Sequence, residues 1–258
     1  MSEGPLIRLE GRVALISGAS SGLGAHFARA LVAAGARVVL IARREEPLEA
    51  LANALCASGG EALAVRADVT DEASLVAAFD VAERRFGCVD TIIANAGAAS
   101  GGRSTDVNKT DLQRVSDTNL LGTYLLVREA AKRMIAAGSR ETQRGRVVLI
   151  GSITSRQNHT GDALYAATKA GIAHLGRQLA KEWIRQGINV NTIEPGWIET
   201  ELNASFTHSE AGVAAVAALP RRRLQDRESL TDMVLYLCAD RSAMVTGATF
   251  TLDDGQSL

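Results

Sequence analysis

Proline and cysteine are scarce: the 258 residues include four prolines and three cysteines. So few prolines leave long stretches free to form unbroken helices and central strands. Cys56, Cys88 and Cys238 lie far apart, with no CxxC pair and no Cys/His cluster at metal-ligand spacing. That gives no basis for a disulfide scaffold or a metal site. Free thiols suit a reducing compartment, so a cytoplasmic location is expected. No sign of charge dominates either: 28 basic and 29 acidic residues leave a net charge of −1. Neither nucleic acid nor an anionic membrane is expected as a partner. The one dense basic run, Arg221 to Arg223, reads first as a solvated loop. No apolar run reaches the roughly 18 residues needed to cross a bilayer. The opening MSEGPLIRLEG lacks the apolar core of a secretory leader.

What the chain has is glycine, 24 residues of it, and a regular alternation of apolar β-branched runs with longer helical stretches. Strands are expected over 13–16, 37–42, 62–67, 89–94, 146–150, 188–193 and 249–252. Helices are expected over 23–34, 45–58, 71–86, 109–137 and 162–186. Strands that are apolar along their whole length and separated by helices imply a mainly parallel sheet covered on both faces. Right-handed crossovers then favour a doubly wound, Rossmann-like α/β fold of seven strands. With no linker, repeat or low-complexity segment, a single domain over 1–258 is expected. Ligands of such sheets bind beyond the C-terminal strand ends, where any functional motif should fall.

The first strand runs into Ser17-Gly18-Ala19-Ser20-Ser21-Gly22-Leu23-Gly24 and then a helix. Glycines allow a sharp turn and close backbone approach, and a helix N-terminus offers free N–H groups to a pyrophosphate. The spacing is GxxxGxG, and no Lys follows the last glycine as it would in a nucleotide-triphosphate loop. The second strand ends at Ala42, followed by Arg43 and Arg44. An acidic residue near this point would bond a ribose 2′-hydroxyl, whereas a guanidinium suits a 2′-phosphate. NADP(H) is therefore expected in preference to NAD(H). The competing reading pairs both arginines with Glu45 or Glu46 on the surface.

Ser152 closes the fifth strand, and Tyr165 and Lys169 stand four apart in a helical pattern. A phenol is a poor acid or base at neutral pH, and a nearby ammonium is expected to lower its pKa. Tyr165 could then donate a proton in reduction and accept one in oxidation, with the Ser152 hydroxyl holding the substrate oxygen. Taken alone, a Tyr/Lys pair is often a solvated helix pair, and a lone Ser is often a cap. Their position beside the glycine turn gives the combination its meaning.

Together these residues resemble NADP-preferring members of the short-chain dehydrogenase/reductase family, over about 12–255. The resemblance is carried by Gly18, Gly22 and Gly24, Asp68-Val69, Asn95-Ala96-Gly97, Asn119, Ser152, Tyr165, Lys169, Pro195-Gly196 and Thr200. It implies an oxidoreductase acting on carbonyl or secondary alcohol groups, a ketoreductase or a 3-oxoacyl-carrier-protein-reductase-like enzyme. It implies a catalytic tetrad of Asn119, Ser152, Tyr165 and Lys169, with Asn119 holding a relay water. Ser20, Ser21, Gly22, Leu23 and Gly24 would follow the pyrophosphate. Asp68 and Val69 would border the adenine, and Asn95, Ala96 and Gly97 its ribose. Lys169 would also hold the nicotinamide ribose, and Pro195, Gly196, Trp197, Ile198 and Thr200 the carboxamide. The family suggests no catalytic metal and a homotetramer, with a dimer as second expectation. Two positions depart from the family pattern: Ser17 stands for the usual Thr, and Ala94 for an Asn that would support the central strand.

The substrate, a small carbonyl or alcohol compound, would be shaped by 98–104, 153–163 and a mobile lid of one or two short helices over about 201–223. Arg221 to Arg223 could meet a carrier protein. His159 reads equally as pocket wall or exposed loop, and Trp197 as nicotinamide flank or lid. His26 and His174 read as packing or surface residues. The alternative to an enzyme is an NADP(H)-binding sensor or scaffold without turnover.

Overall fold

A computed structural model describes residues 7–201 and 203–258. The start of the chain and Leu202 of the expected lid lie outside them. Seven strands form one all-parallel sheet in the order β3-β2-β1-β4-β5-β6-β7. They are β1 (Val13–Ser17), β2 (Arg37–Ala42), β3 (Glu61–Arg66), β4 (Thr91–Ala94), β5 (Gly145–Ile150), β6 (Ile188–Pro195) and β7 (Thr249–Leu252). Strand order reverses between β1 and β4, which pair from Ala14↔Thr91 to Ile16↔Ile93. A crevice opens at such a reversal, beyond the strand ends.

Side chains along a strand alternate between faces, and this divides the core in two. Ala14, Ile16, Val38, Leu40 and Val148 pack with Phe27 and Leu31 of α1 (Gly22–Ala33), Leu48 of α2 (Glu45–Ala57), and Val234 of an unexpected helix at Thr231–Cys238. Their neighbours Val13, Leu15, Val39, Ile41, Val147 and Leu149 pack on the other face. There they meet Phe79 of α3 (Glu72–Phe86), Leu126 and Met134 of a helix at Thr123–Ala136, and Leu179 and Trp183 of the Ala163–Trp183 helix. Each fully buried large apolar side chain contributes about 1.5–3 kcal/mol of transfer free energy. Asp71 caps α3 by accepting from the N–H groups of Ala73 and Ser74.

The helix expected over 109–137 is three pieces. α4 (Lys109–Ser116) and α5 (Thr123–Ala136) flank a π-helical segment at Asp117–Gly122. Such wide turns often mark functional positions, and this one carries Asn119. A four-residue helix, α6 (Ser139–Thr142), precedes β5, and α7 (Ala163–Trp183) follows it. The expected lid contains α8 (Ala204–Thr207) and α9 (Glu210–Ala218), and α10 is the Thr231–Cys238 helix. β4 begins two residues later than expected, and Asp90 just before it is tied across to Val13, donating its N–H to the Val13 carbonyl and accepting from Val13 N–H at its carboxylate. Among the described residues, no helix is long and apolar enough to cross a membrane.

Candidate active site

The crevice beyond the strand ends is a cleft of about 940 Å³. The glycine turn forms its floor. Gly18 has φ +65°, and a Cβ there would sit 2.9 Å from the Ala96 Cα. The Asn95 side-chain amide donates to the carbonyls of Ser17 (3.0 Å) and Gly18 (3.3 Å). The Ser17 hydroxyl accepts from the N–H groups of Asn95 and Ala96, both at 3.1 Å. Serine thus makes the tie expected of the family's threonine, and the β1–β4 junction is held although position 94 carries no amide. Ala94 itself is buried and pairs with Leu149.

The N-terminus of α1 has no side-chain cap, unlike that of α3. The hydroxyls of Ser20 and Ser21 instead accept from Arg44 Nη2, at 3.1 and 2.7 Å. The first N–H groups of α1 are therefore left without a side-chain acceptor at the glycine turn. A narrow turn that a Cβ would fill, an uncapped helix N-terminus and two guanidiniums at the end of β2 fit a dinucleotide phosphate.

Arg43 lines the cleft, is exposed, and has no hydrogen-bond or ion-pair partner among the described residues. Arg44 reaches Glu201 Oε2 at 2.9 Å, not Glu45 or Glu46. Asp68, Val69, Asn95, Ala96 and Gly97 line the next stretch, and Pro195, Gly196, Trp197, Ile198 and Thr200 the far one. The 195–200 segment is pinned from outside. Gln225 Oε1 accepts from Gly196 N–H (3.1 Å), Gln256 Oε1 from Trp197 N–H (2.6 Å), and Asn203 Oδ1 from Thr200 N–H (2.8 Å).

Two of the expected site residues stand behind the wall. A Cβ on Gly24 would come within 2.3 Å of the Gly18 carbonyl oxygen, so this glycine serves helix-to-turn packing. Asn119 is buried, with Oδ1 accepting from Ala98 N–H (2.7 Å) and Nδ2 donating to the Ala98 carbonyl (2.9 Å) and Thr168 Oγ1 (3.0 Å).

Ser152, Tyr165 and Lys169 meet in the cleft. The Ser152 hydroxyl accepts from Thr154 N–H (3.2 Å) and Thr154 Oγ1 (2.9 Å). Lys169 is buried; its Nζ donates to the Ile150 carbonyl (2.8 Å) and lies 5.6 Å from the centre of the Tyr165 ring. The expected lowering of the phenol by this ammonium is not found. Burial pushes Tyr165 up to about 12, against a downward pull from hydrogen bonding with Ser152 and with a further upward push from Asp162. Burial also pushes Lys169 down to about 8. Desolvation disfavours the charged form of each group.

The segments expected to shape the pocket contribute to its lining: Ala99, Gly101 and Gly102 from the first, Thr154, His159, Thr160 and Asp162 from the second, and Glu201, Ser205 and Phe206 from the third, so His159 falls on the pocket side of its two readings. The sequence did not indicate that Glu201 would pair with Arg44, a contact over a long sequence separation. Arg221 and Arg223, by contrast, both pair with Asp254, at 3.3 and 2.9 Å.

A family model described as enoyl-(acyl carrier protein) reductase matches residues 18–257. The chain belongs to the short-chain dehydrogenase/reductase family. It is 32% identical to a D-threitol dehydrogenase of Mycolicibacterium smegmatis over 97% of this chain and 95% of the relative. It is 31% identical to a 3-oxoacyl-(acyl-carrier-protein) reductase of Escherichia coli, over 96% of this chain and 98% of the other. A gluconate 5-dehydrogenase from Burkholderia cenocepacia, solved with NADP and tartrate, superposes with a TM-score of 0.90 at 32% identity, covering 97% and 96% of the two chains. As a member of the short-chain dehydrogenase/reductase family, the chain is an oxidoreductase acting on carbonyl or alcohol groups.

Proposed function

We propose that this chain is an NADP(H)-dependent oxidoreductase that interconverts ketones and secondary alcohols, with Tyr165 giving and taking the proton at the substrate oxygen. The observation that carries the reading is the presence, in one cleft, of Ser152, Tyr165 and Lys169 together with the uncapped N-terminus of α1. When bound, the nicotinamide cofactor supplies the hydride in reduction and takes it up in oxidation.

The chain's own residues do the rest. The Ser152 hydroxyl, whose oxygen accepts from Thr154, has one proton to donate, to the Tyr165 oxygen or, when substrate is bound, to the substrate oxygen. Tyr165, a neutral phenol throughout the ordinary pH range, is the proton donor in reduction. In oxidation it must accept a proton, which needs additional positive charge near its oxygen. Asn119 and Lys169 complete the tetrad: Lys169 orients a ribose, and Asn119 holds the 97–98 turn in place through the Ala98 backbone. Arg43 is assigned to the 2′-phosphate because it stands at the end of β2 with no partner among the described residues. The exposed Leu112, Leu120, Leu121, Tyr124 and Ile135 on the α4–α5 face, with β7 at the sheet edge, support a homotetramer. A cytoplasmic setting belongs to the same proposal.

The test is NADPH oxidation, and NADP reduction, across a panel of ketones and secondary alcohols. Binding of NADPH with no turnover on the panel would leave the sensor reading. Equal or better kcat/KM with NADH would remove the cofactor assignment, and Arg43→Asp is expected to shift preference toward NADH.

A further inference from the structure

The cleft lining also holds an aromatic row that runs on from Trp197, at the edge of the 195–200 stretch, to His159 and Phe206. The His159 ring lies 5.5 Å from Trp197, and Trp197 lies 6.0 Å edge-on from Phe206. Thr160, Asp162 and Ser205 share that wall. Asp162 stands close enough to raise the Tyr165 phenol. The imidazole is also oriented. Its Nε2 lies 3.1 Å from Gln157 Oε1, and Gln157 Nε2 donates to the Gln256 carbonyl at 3.0 Å. With its amide nitrogen so engaged, Gln157 offers its oxygen, which places a proton on Nε2 and leaves Nδ1 as the second polar edge of the ring.

Two further features narrow the chemistry. Among the described lining residues the cations are Arg43, Arg44 and Lys169. The first two stand at the end of β2, and Lys169 donates to Ile150. The outer wall carries the Asp162 carboxylate, and Glu201 joins it on the cleft lining. A substrate carboxylate or phosphate beside Asp162 would meet like charge, since Arg43 and Arg44 stand at the end of β2 and Lys169 is turned to the Ile150 carbonyl. Among the described residues, neither the 159–162 loop nor the 203–207 segment adds a Leu, Ile, Val or Met side chain to this wall, which leaves a long acyl chain little to pack on there. An aromatic row bordered by hydroxyls, an imidazole and a carboxylate suits a compact molecule with both C–H faces and hydroxyl groups.

We infer that the substrate is a neutral polyhydroxylated compound, a sugar alcohol or the corresponding keto sugar, held by His159 and Asp162 at its hydroxyls and by Trp197 at its C–H face. This rests on the oxidoreductase reading above. In oxidation the Tyr165 phenol first gives its proton to solvent; the carbinol carbon then loses its hydride to NADP, the substrate hydroxyl proton passes to the phenolate oxygen, and a ketone and NADPH form.

The test is steady-state kinetics with NADP on three sets: sugar alcohols of graded length, aldonates of the same lengths, and unbranched secondary alkanols. Sugar alcohols should exceed both other sets by about ten-fold or more in kcat/KM. Asp162→Asn should narrow the sugar-alcohol to aldonate ratio by about ten-fold, by removing the like charge. His159→Leu should raise KM for sugar alcohols about ten-fold while changing kcat far less. Calorimetric binding to the Tyr165→Phe variant, which needs no turnover, should give the same order of ligands. Preference for aldonates, alkanols or 3-oxoacyl thioesters, or a selectivity ratio unmoved by Asp162→Asn, overturns the inference and leaves the oxidoreductase reading standing. Turnover of nothing, or full activity in Tyr165→Phe, overturns both.

Discussion

Arg44 Nη2 stands 2.9 Å from Glu201 Oε2, so the residue before α2 is tied to the one after Thr200 across the cleft lining. Both side chains are more than half exposed, at 52% and 64%, so the pair adds little to stability, about 0–1 kcal/mol. Its effect is electrostatic: a carboxylate partly neutralises a guanidinium beside the glycine turn. Glu201→Gln should leave the thermal midpoint within about 2 °C. It should also tighten NADPH binding about three-fold, read by fluorescence titration. Weaker binding would show that Glu201 supports the site instead of screening it.

Gly24→Ala tests the turn without touching a charge. The new methyl would lie 2.3 Å from the Gly18 carbonyl oxygen and 2.7 Å from Asn95 Nδ2, so α1 and the turn must part. We expect a stability loss of about 1–3 kcal/mol in urea unfolding. NADPH affinity should fall about ten-fold or more, because the phosphate-facing backbone moves with the turn. Unchanged affinity would place the phosphate elsewhere.

Lys169 makes stability depend on pH. Its folded-state pKa of about 8 lies below its ordinary value, so between roughly pH 8 and 10 the unfolded chain binds more protons. The residue's contribution is therefore fully present above about pH 10.4 and is lost as pH falls through about 8. Tyr165 runs the other way, with its contribution present below about pH 10 and lost as pH rises through about 12, outside this window. Wild type should gain stability from pH 7 to pH 9 relative to Lys169→Met. At pH 7 the variant should be the more stable by on the order of 2 kcal/mol, even after losing the bond to Ile150. Urea unfolding at the two pH values checks both signs.

Strand and helix periods, glycine stops and the motif positions after β1, β2, β4 and β5 were legible in the sequence because each depends on near neighbours. Asp71 is a clear case, since an acidic cap announces its own helix. What was not legible depended on distance or on burial. Arg44 offered Glu45 and Glu46 as neighbours, yet it chose a carboxylate 157 residues away. The Tyr165/Lys169 spacing gave the right helix face but the wrong electrostatics, because spacing carries no information on how deeply the two groups are desolvated. The break at Asp117–Gly122 was hidden for a similar reason: the run looks uniformly helical, and the pull on Asn119 comes from Ala98 and Thr168. Gly24 read as a phosphate contact until the packing of α1 on the turn showed what its missing Cβ makes room for.

The Tyr165 hydroxyl moves the substrate proton in the proposed reaction, and Tyr165→Phe removes that hydroxyl while keeping the ring beside Lys169. The decisive measurement is single-turnover reduction of the best substrate by pre-bound NADPH, with NADPH affinity titrated in parallel. The rate should fall by about a thousand-fold with NADPH affinity unchanged. A rate within a few-fold of wild type, at full cofactor occupancy, would contradict it.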